Sequence, residues 1–355
     1  MTRKEIGIVA VVTLVLLGVA LVALELGLHM LRPSPNQRDS LLGWKLRADL
    51  HREFPQSTLG GRPYPARMDT TADGLRVFGS NEKAPIRILV LGDSFTADPY
   101  AGDREMWYAK MVERLARATQ RPVTDFYVQA GGGGGWGTYQ ALLLSRTLSR
   151  TVNPNMFILQ FSSGDFQNNL YEWERWSVVR SQYMRRPFAA MNGDQPRYAP
   201  GFLAHVYRSI LGESRLLNRI DGLVGTMQAR KYGGSTKPLP AEVLAGYERE
   251  SLAMTRKLLS QLRAEYRDIP ALIVNSDSEE TGPNKLWKDI AIEAGFIPLR
   301  ASAALVTAMK GVRRYDVINI DGAHFSDEGN RLFGTIIGDE VTALNLPVLQ
   351  RSAQQ

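Results

Sequence analysis

Cysteine is absent from all 355 residues, which excludes disulfides, thiolate metal sites and cysteine nucleophiles together. The absence leaves the compartment open, because an exported protein need not carry disulfides. Histidine is almost as scarce: His29, His51, His205 and His324 are the only four. Any chemistry that needs an imidazole must draw on one of them. No His/Glu cluster has zinc-ligand spacing, so no metal is implied, and no internal repeat is visible. Length and apolar content are ample. A chain of this size, 44% hydrophobic and 22% charged, can bury a full core in one large domain. The net charge of +7 hints at an acidic partner, but its meaning depends on where along the chain it lies.

Residues Ile6 to Leu31 include 20 apolar residues out of 26, broken only by Thr13, three glycines, Glu25 and His29. About 20 residues at about 1.5 Å each span the hydrocarbon core. The run (6–31, after a short tail 1–5) therefore reads as one transmembrane signal anchor. A cleaved leader, with Arg3 and Lys4 at its start and a cut after Ala20, is the competing reading. The apolar run continues well past that point, which favours the uncleaved anchor. Arg3 and Lys4 precede the span, while Arg32, Arg38, Lys45 and Arg47 follow it, so the flanking charges set no orientation.

Residues 32–85 read as an irregular stalk or lead-in. They carry Pro33, Pro35, Pro55, Pro63, Pro65 and the pair Gly60-Gly61, and show no sustained period. From Ile86 strands and helices alternate through a domain spanning 86–350. Short apolar runs predict strands over Ile86–Leu91, Val123–Val128, Met156–Phe161 and Ala271–Asn275. Helices are predicted over 107–118, 139–150, 241–266, 285–294, 301–310 and 327–344. This alternation predicts a parallel sheet covered on both faces, with a site beyond the carboxyl ends of its strands. Residues 171–240 interrupt the pattern with nine aromatics and eleven Lys/Arg against five Asp/Glu. They read as an insertion over the sheet, a lid or a substrate surface. The insertion carries six of the seven net charges, so the charge marks one surface.

Two short segments could carry chemistry. Leu91-Gly92-Asp93-Ser94 ends the first predicted strand, where a serine on a strand-to-helix turn would be exposed at the sheet's active edge. Asp321-Gly322-Ala323-His324 precedes the last helix. A hydroxyl nucleophile needs a base, and the base needs an acidic partner to fix its tautomer. Taken singly, each segment is commonplace: a turn in one case, a helix start capped by Ser326 or Asp327 in the other.

Together, and in this order, the two segments resemble the end motifs of the SGNH/GDSL hydrolase family. Ala72-Asp73-Gly74-Leu75-Arg76 and His324-Phe325-Ser326-Asp327-Glu328-Gly329 are similar to that family's flanks. The resemblance covers roughly residues 70–345. It implies an α/β, three-layer α/β/α sandwich with a parallel, flavodoxin-like sheet, here preceded by one N-terminal transmembrane helix. It makes Ser94 the nucleophile, His324 the general base and acid, and Asp321 its orienting partner, with no cofactor. It also implies an oxyanion hole formed by the N–H of Ser94 and a glycine, Gly131 or Gly132, from the run Gly131–Gly135. Glycine suits that task because no side chain blocks the approach of the oxyanion. The family's third block departs: Gly164 stands where an asparagine should complete the hole. Ser163, Asn168 or a water takes its place, or the enzyme is slow, specialised or non-catalytic. Losing one such donor typically costs about 10²–10³ in turnover. Gly132, Gly134 and Gly137 also match a dinucleotide-binding pattern, but no acidic residue lies between Thr138 and Gly164 to hold a ribose.

In the insertion, Trp173, Trp176, Tyr183, Tyr198 and Tyr207 alternate with Arg175, Arg180, Arg185, Arg186 and Arg197. Such a surface grips a sugar chain, with aromatic faces on sugar faces and arginine forks on carboxylates or phosphates; otherwise it is a lid packed on the sheet. Asn168, Asn169, Trp136, Arg175, Arg185 and Arg186 are the substrate-binding candidates. Nucleic acid is not an expected partner of an anchored chain with an esterase triad. The apolar run makes this a single-pass protein, with its catalytic domain expected on the periplasmic, extracytoplasmic side, and membrane-tethered relatives imply action on acetyl groups of cell-envelope polysaccharides. The expected function is a serine acyl or acetyl esterase acting on an acylated envelope glycan or lipid. An O-acetyltransferase with the same triad is the alternative, and a non-catalytic glycan-binding accessory protein is the third reading. Envelope polysaccharide-assembly proteins are the expected partners.

Overall fold

The chain opens with the 29-residue helix α1 (Arg3–Leu31), none of which is buried. By length and composition it could cross a membrane. The computed structural model describes residues 2–31, 34–97, 99–149, 151–192, 195–209, 211–234, 236–277, 282–309 and 313–350. Arg32 and Pro33, and the final residues of two predicted helices, Arg150 and Lys310, lie outside the described residues, as does the side chain of Arg180.

The lead-in differs from the expectation of an irregular stalk. Strands β1 (Asn36–Asp39) and β2 (Gly43–Leu46) form one antiparallel hairpin, and β3 (His51–Ser57) and β4 (Pro63–Asp69) a second. Its prolines obscured the alternation of Pro63-Tyr64-Pro65-Ala66-Arg67-Met68, in which Tyr64, Ala66 and Met68 are buried. A two-stranded ribbon tolerates proline because each strand has an edge whose N–H groups need no partner. Pro55 and Pro65 are in fact paired opposite one another. After the hairpins, β5 (Arg76–Gly79) already belongs to the main sheet.

The main domain then runs β6 (Ile86–Gly92), α2 (Ser94–Ala97), α3 (Trp107–Ala118), β7 (Phe126–Gly132), α4 (Thr138–Leu148) and β8 (Met156–Phe161). The interruption contributes α5 (Gly164–Asn169), α6 (Tyr171–Glu174), α7 (Arg180–Arg185), α8 (Phe202–Ser209) and α9 (Arg215–Tyr232). The pattern resumes with α10 (Ala241–Glu265), β9 (Ala271–Asn275), α11 (Trp287–Glu293), β10 (Ile297–Leu299), α12 (Ala301–Met309), α13 (Arg314–Val317) and α14 (Asp327–Ala343). The sheet has six strands in the order β10-β9-β8-β6-β7-β5, all parallel except the edge strand β5. That is a flavodoxin-like order whose winding reverses between β6 and β8. A crevice opens at such a reversal, outside the carboxyl ends of the strands.

Successive side chains of β6 point to opposite faces, so its unbroken apolar run serves two cores. Ile86, Ile88 and Val90 pack with Trp107, Met111 and Leu115 of α3 and Phe333, Ile337 and Val341 of α14. Leu89 and Leu91 pack with Leu142 of α4, Leu258 and Leu262 of α10 and Ile290 of α11. Each such burial contributes about 1.5–3 kcal/mol. Helices on both sides make three layers. Helix α14 approaches α3 closely because Gly334 has no Cβ, which would overlap the carbonyl oxygen of Trp107.

One boundary shift matters for the site. The second parallel strand was predicted at 123–128 and is found at Phe126–Gly132. Glycine reads as loop in a sequence, yet Gly131 and Gly132 extend this strand because the positions beside them leave no room for side chains.

Candidate active site

Ser94, separated from β6 by Asp93 alone, opens the short helix α2. The buried carboxylate of Asp93 accepts the Phe95 N–H at 2.8 Å, while the Asp93 carbonyl accepts the N–H groups of Thr96 and Ala97. This tight turn presents Ser94 above the sheet. From the far end of the domain, His324 brings its Nε2 to 2.8 Å from Ser94 Oγ. Its Nδ1 hydrogen-bonds Asp321 Oδ2. With the ring proton on Nδ1, Nε2 is left to accept the serine proton. The other carboxylate oxygen, Asp321 Oδ1, accepts the N–H groups of Ala323 and His324, each at 3.0 Å. Partial burial pushes the Asp321 carboxyl up, but the bond and charge of His324 and these N–H donors outweigh it. The group lies below the usual carboxylate value. Ser94 and His324, 230 residues apart in sequence, thus join Asp321 in one continuous chain of hydrogen bonds.

Two features that sequence reasoning missed position this relay. The β3–β4 hairpin supports the Asp-His loop: buried Asn319 donates to Tyr64 Oη at 2.9 Å and to Gln56 Oε1 at 3.3 Å. Asn319 Oδ1 in turn accepts the Asp321 N–H at 3.1 Å, and its N–H bonds the His324 carbonyl at 2.8 Å. The imidazole is also flanked by rings. Tyr100 stacks on it with centroids 4.7 Å apart, and Phe95 tilts against it at 5.1 Å. The Tyr100 loop is held by buried Arg76, which donates to Asp103 Oδ1 and to the Ala101 carbonyl. Only long-range pairing announces these contacts, so no local motif could have found them.

Below Ser94 lies a buried polar layer. Gln160 Oε1 accepts the Asp93 N–H and the Thr96 hydroxyl, and Gln160 Nε2 donates to Ser276 Oγ. Ser162 Oγ donates to Asp93 Oδ2 at 2.8 Å and also lies 3.3 Å from Asp165 Oδ2. Burial raises the pKa of both carboxyls, and the neighbouring charge of Asp93 raises Asp165 further, well above the ordinary range.

The glycines of the run differ in what surrounds them. A Cβ on Gly131 would sit 2.7 Å from Leu144 Cδ2 and 2.8 Å from Leu75 Cδ2, so that position faces the core. Gly132 lies against the Asp93 carbonyl. The glycine whose open side faces the nucleophile is Gly134, where a Cβ would be 3.9 Å from Ser94 Cβ. Among the described residues, no hydrogen bond takes up the N–H of Ser94 or of Gly134. The turn around Gly134 is fastened from behind. Arg186 donates to the Gly135 carbonyl and to Asn168 Oδ1 and pairs with Glu174, while Asn168 Nδ2 donates to the Trp136 carbonyl at 3.0 Å.

These bonds redistribute the candidate substrate residues. Arg186 is fully buried and acts as a buttress. Asn169 is buried and ties Tyr139, Thr138 and Thr255 together. Trp136 is buried beneath Gly133. Arg175 lies over the Trp176 ring and faces a separate cavity. Arg197 stacks on Tyr171 and Arg208 on Tyr198, so these insertion arginines are engaged within the protein. Gly164 is exposed, and both ends of Asn168 are engaged elsewhere, by the Trp136 carbonyl and Arg186. Of the six substrate-binding candidates, Arg185, over the Trp44 ring, is the one that lines the cavity above Ser94. That cavity measures about 760 Å³, and Ser94, His324, Tyr100, Gly134 and Gly135 form part of its wall. Among the described residues, no group of three His, Asp or Glu side chains is placed to hold a metal ion.

No protein-family model matches this chain, and no curated protein matches it. Among solved structures, the chain is similar to a family 3 carbohydrate esterase of Clostridium thermocellum, with 14% identity, 73% of this chain and 96% of that one covered, and a TM-score of 0.37. It is similar to an acetylxylan esterase of Geobacillus stearothermophilus at 14% identity, covering 77% and 98% of the two chains, with a TM-score of 0.39. It is also similar to an α/β hydrolase from the metagenome of Lake Arreo, Spain, at 10% identity, covering 76% and 99%, with a TM-score of 0.42.

Proposed function

We propose that the chain is a serine ester hydrolase of the SGNH/GDSL type, anchored by α1 with its catalytic domain on the extracytoplasmic side. The observation that carries this reading is the Ser94–His324–Asp321 relay at the sheet's winding reversal. Ser94 Oγ attacks the acyl carbonyl carbon as His324 Nε2 takes its proton, and Asp321 stabilises the imidazolium. Negative charge on the former carbonyl oxygen is met by the N–H groups of Ser94 and Gly134. His324 then returns the proton to the departing alcohol. Water, deprotonated by His324, attacks the acyl-enzyme and releases the acid. Two backbone donors, without the family's asparagine, predict a slow hydrolase. The substrate class is an acylated cell-envelope glycan or lipid. In the O-acetyltransferase alternative the second step differs only in its acceptor, a glycan hydroxyl in place of water.

The test follows acetate release by the full-length protein in detergent, from an aryl acetate and an acetylated oligosaccharide, beside Ser94→Ala and His324→Ala. Hydrolysis by the parent and none by either variant supports the reading. Equal rates in parent and variants would overturn it in favour of a non-catalytic domain. Acetyl appearing on an added oligosaccharide would identify a transferase.

A further inference from the structure

The cavity that begins at Ser94 does not end inside the domain. Its far wall is built by His29 at the foot of α1 and by Arg215 and Asn218 in the first turn of α9. These two helices are joined through Glu25 of α1. Its carboxylate accepts the N–H groups of Arg215 at 2.6 Å and Leu216 at 3.0 Å, and the Ser214 hydroxyl at 2.9 Å, capping the start of α9. Counted from Ile6, about 20 residues of apolar helix bring the hydrocarbon edge close to Glu25. Helix α9 therefore begins at the membrane surface.

Its sequence suits that depth. Ile220, Leu223, Val224 and Met227 follow the i, i+3, i+4, i+7 spacing of one helical face, and all four are exposed, Leu223 at 63% and Met227 at 69%. On the opposite side, Gly225 is buried against Val179. Basic residues flank the apolar face, Arg219 before its end and Arg230 and Lys231 in the last turn. An apolar face bordered by cations is the pattern of a helix lying in the bilayer interface.

The cavity's charge is equally one-sided. Arg38, Arg47, Arg185 and Arg215 line it against a single carboxylate, Glu213. Burial lowers the pKa of Arg185, with Glu213 opposing it and Arg38 adding to it, and burial together with Arg219 and Arg47 lowers that of Arg215 against the pull of Glu25. Guanidinium groups gathered in a half-buried cavity call for an anion, and a phosphate or carboxylate matches their planar forks.

We propose that α9 lies in the membrane interface beside α1, and that the cavity draws its ester from the bilayer: an acylated, membrane-embedded molecule whose phosphate or carboxylate is held by Arg47, Arg185 and Arg215 while its acyl group reaches Ser94. This inference deepens the esterase reading and rests on it for the fate of the ester. Its own test needs no turnover.

The lack of cysteine allows a single nitroxide label at Met227→Cys, an exposed site where the exchange leaves the core intact. In nanodiscs containing the full-length chain, the label at 227 is expected to be open to oxygen and shielded from a water-soluble nickel chelate. A label at the exposed position Arg249→Cys of α10 serves as the aqueous reference. A label at 227 as open to the chelate as that at 249 overturns the proposal. In neutral micelles, native mass spectrometry of the Ser94→Ala protein compares phosphatidylglycerol with phosphatidylcholine of the same chains. A preference of about tenfold for the anionic lipid is expected, falling to within about twofold in Arg47→Gln/Arg215→Gln. Equal binding of both lipids by the Ser94→Ala protein overturns the proposal. So does displacement of the lipid by soluble glycerol phosphate at equal concentration, which would make solution the source. A protein that shows the preference yet leaves aryl acetate intact would lose the esterase reading and keep this site.

Discussion

The two walls of the cavity over Ser94 are built by different means. One is the carboxyl end of the parallel sheet, where Asp93, Ser94 and the glycine turn follow strands whose apolar side chains are fully buried on both faces. The other comes from the lead-in hairpins and residues 171–240, and it is joined to the first by polar bonds between distant residues. Asn319 reaches Tyr64, Arg186 reaches Gly135, and Gln140 reaches the Pro187 carbonyl. On the esterase reading, the sheet wall places the reacting atoms and the second wall fixes their orientation. Damage to the first should therefore abolish turnover, whereas damage to the second should degrade stability or rate in a graded way.

The largest effect is expected at the sheet wall itself: His324→Ala should lower kcat/KM on aryl acetate by roughly 10³-fold or more, with the melting temperature nearly unchanged. On the second wall, Arg186→Met leaves Glu174, 1% exposed, as an unpaired buried charge. Chemical denaturation should report a loss of about 3–5 kcal/mol, and a loss below about 1 kcal/mol would mean that the pair does not fasten the turn. Asn319→Ala removes the link between the β3–β4 hairpin and the Asp-His loop. It should cost about 1–3 kcal/mol of stability and about tenfold in kcat with KM little changed, which steady-state kinetics will read.

The smallest effect concerns pH. Because burial and Asp93 raise the Asp165 carboxyl well above its ordinary value, the folded state binds that proton more tightly than the unfolded chain does. The stability contributed by this proton is present at low pH and declines as pH rises from about 4 through the folded value. Asp165→Asn removes that decline, so its melting temperature should gain on the parent as pH rises. A difference constant between pH 4 and 8 would contradict this account of the buried layer.

What could be read from the sequence divides along the same line. The strands at 156–161 and 271–275 and the helix at 107–118 were legible because buried runs and 3.6-residue periodicity are local signals. The meeting of Ser94 with His324 and Asp321 was legible because the segments 91–94 and 321–324 together resemble the end motifs of one family. The glycine beside the nucleophile was not, since five identical residues carry no register. The structure shows that the strand runs through Gly132 and that Leu144 and Leu75 pack against Gly131. Arg186 reads as a surface arginine among aromatics, and nothing nearby in sequence reveals that Glu174 and Gly135 enclose it. Tyr100 and Asn319 carry no motif at all. The hairpins of the lead-in were hidden by prolines that an isolated ribbon accommodates at its edges.

The central claim is that Ser94 is a nucleophile activated by His324. Its most direct measurement is mass spectrometry of the full-length protein after reaction with a fluorophosphonate, a reagent that phosphonylates activated serine hydroxyls. The account predicts one adduct, on the peptide containing Ser94, lost in Ser94→Ala and strongly slowed in His324→Ala. An unmodified Ser94 peptide, or labelling that proceeds equally fast without His324, would contradict it.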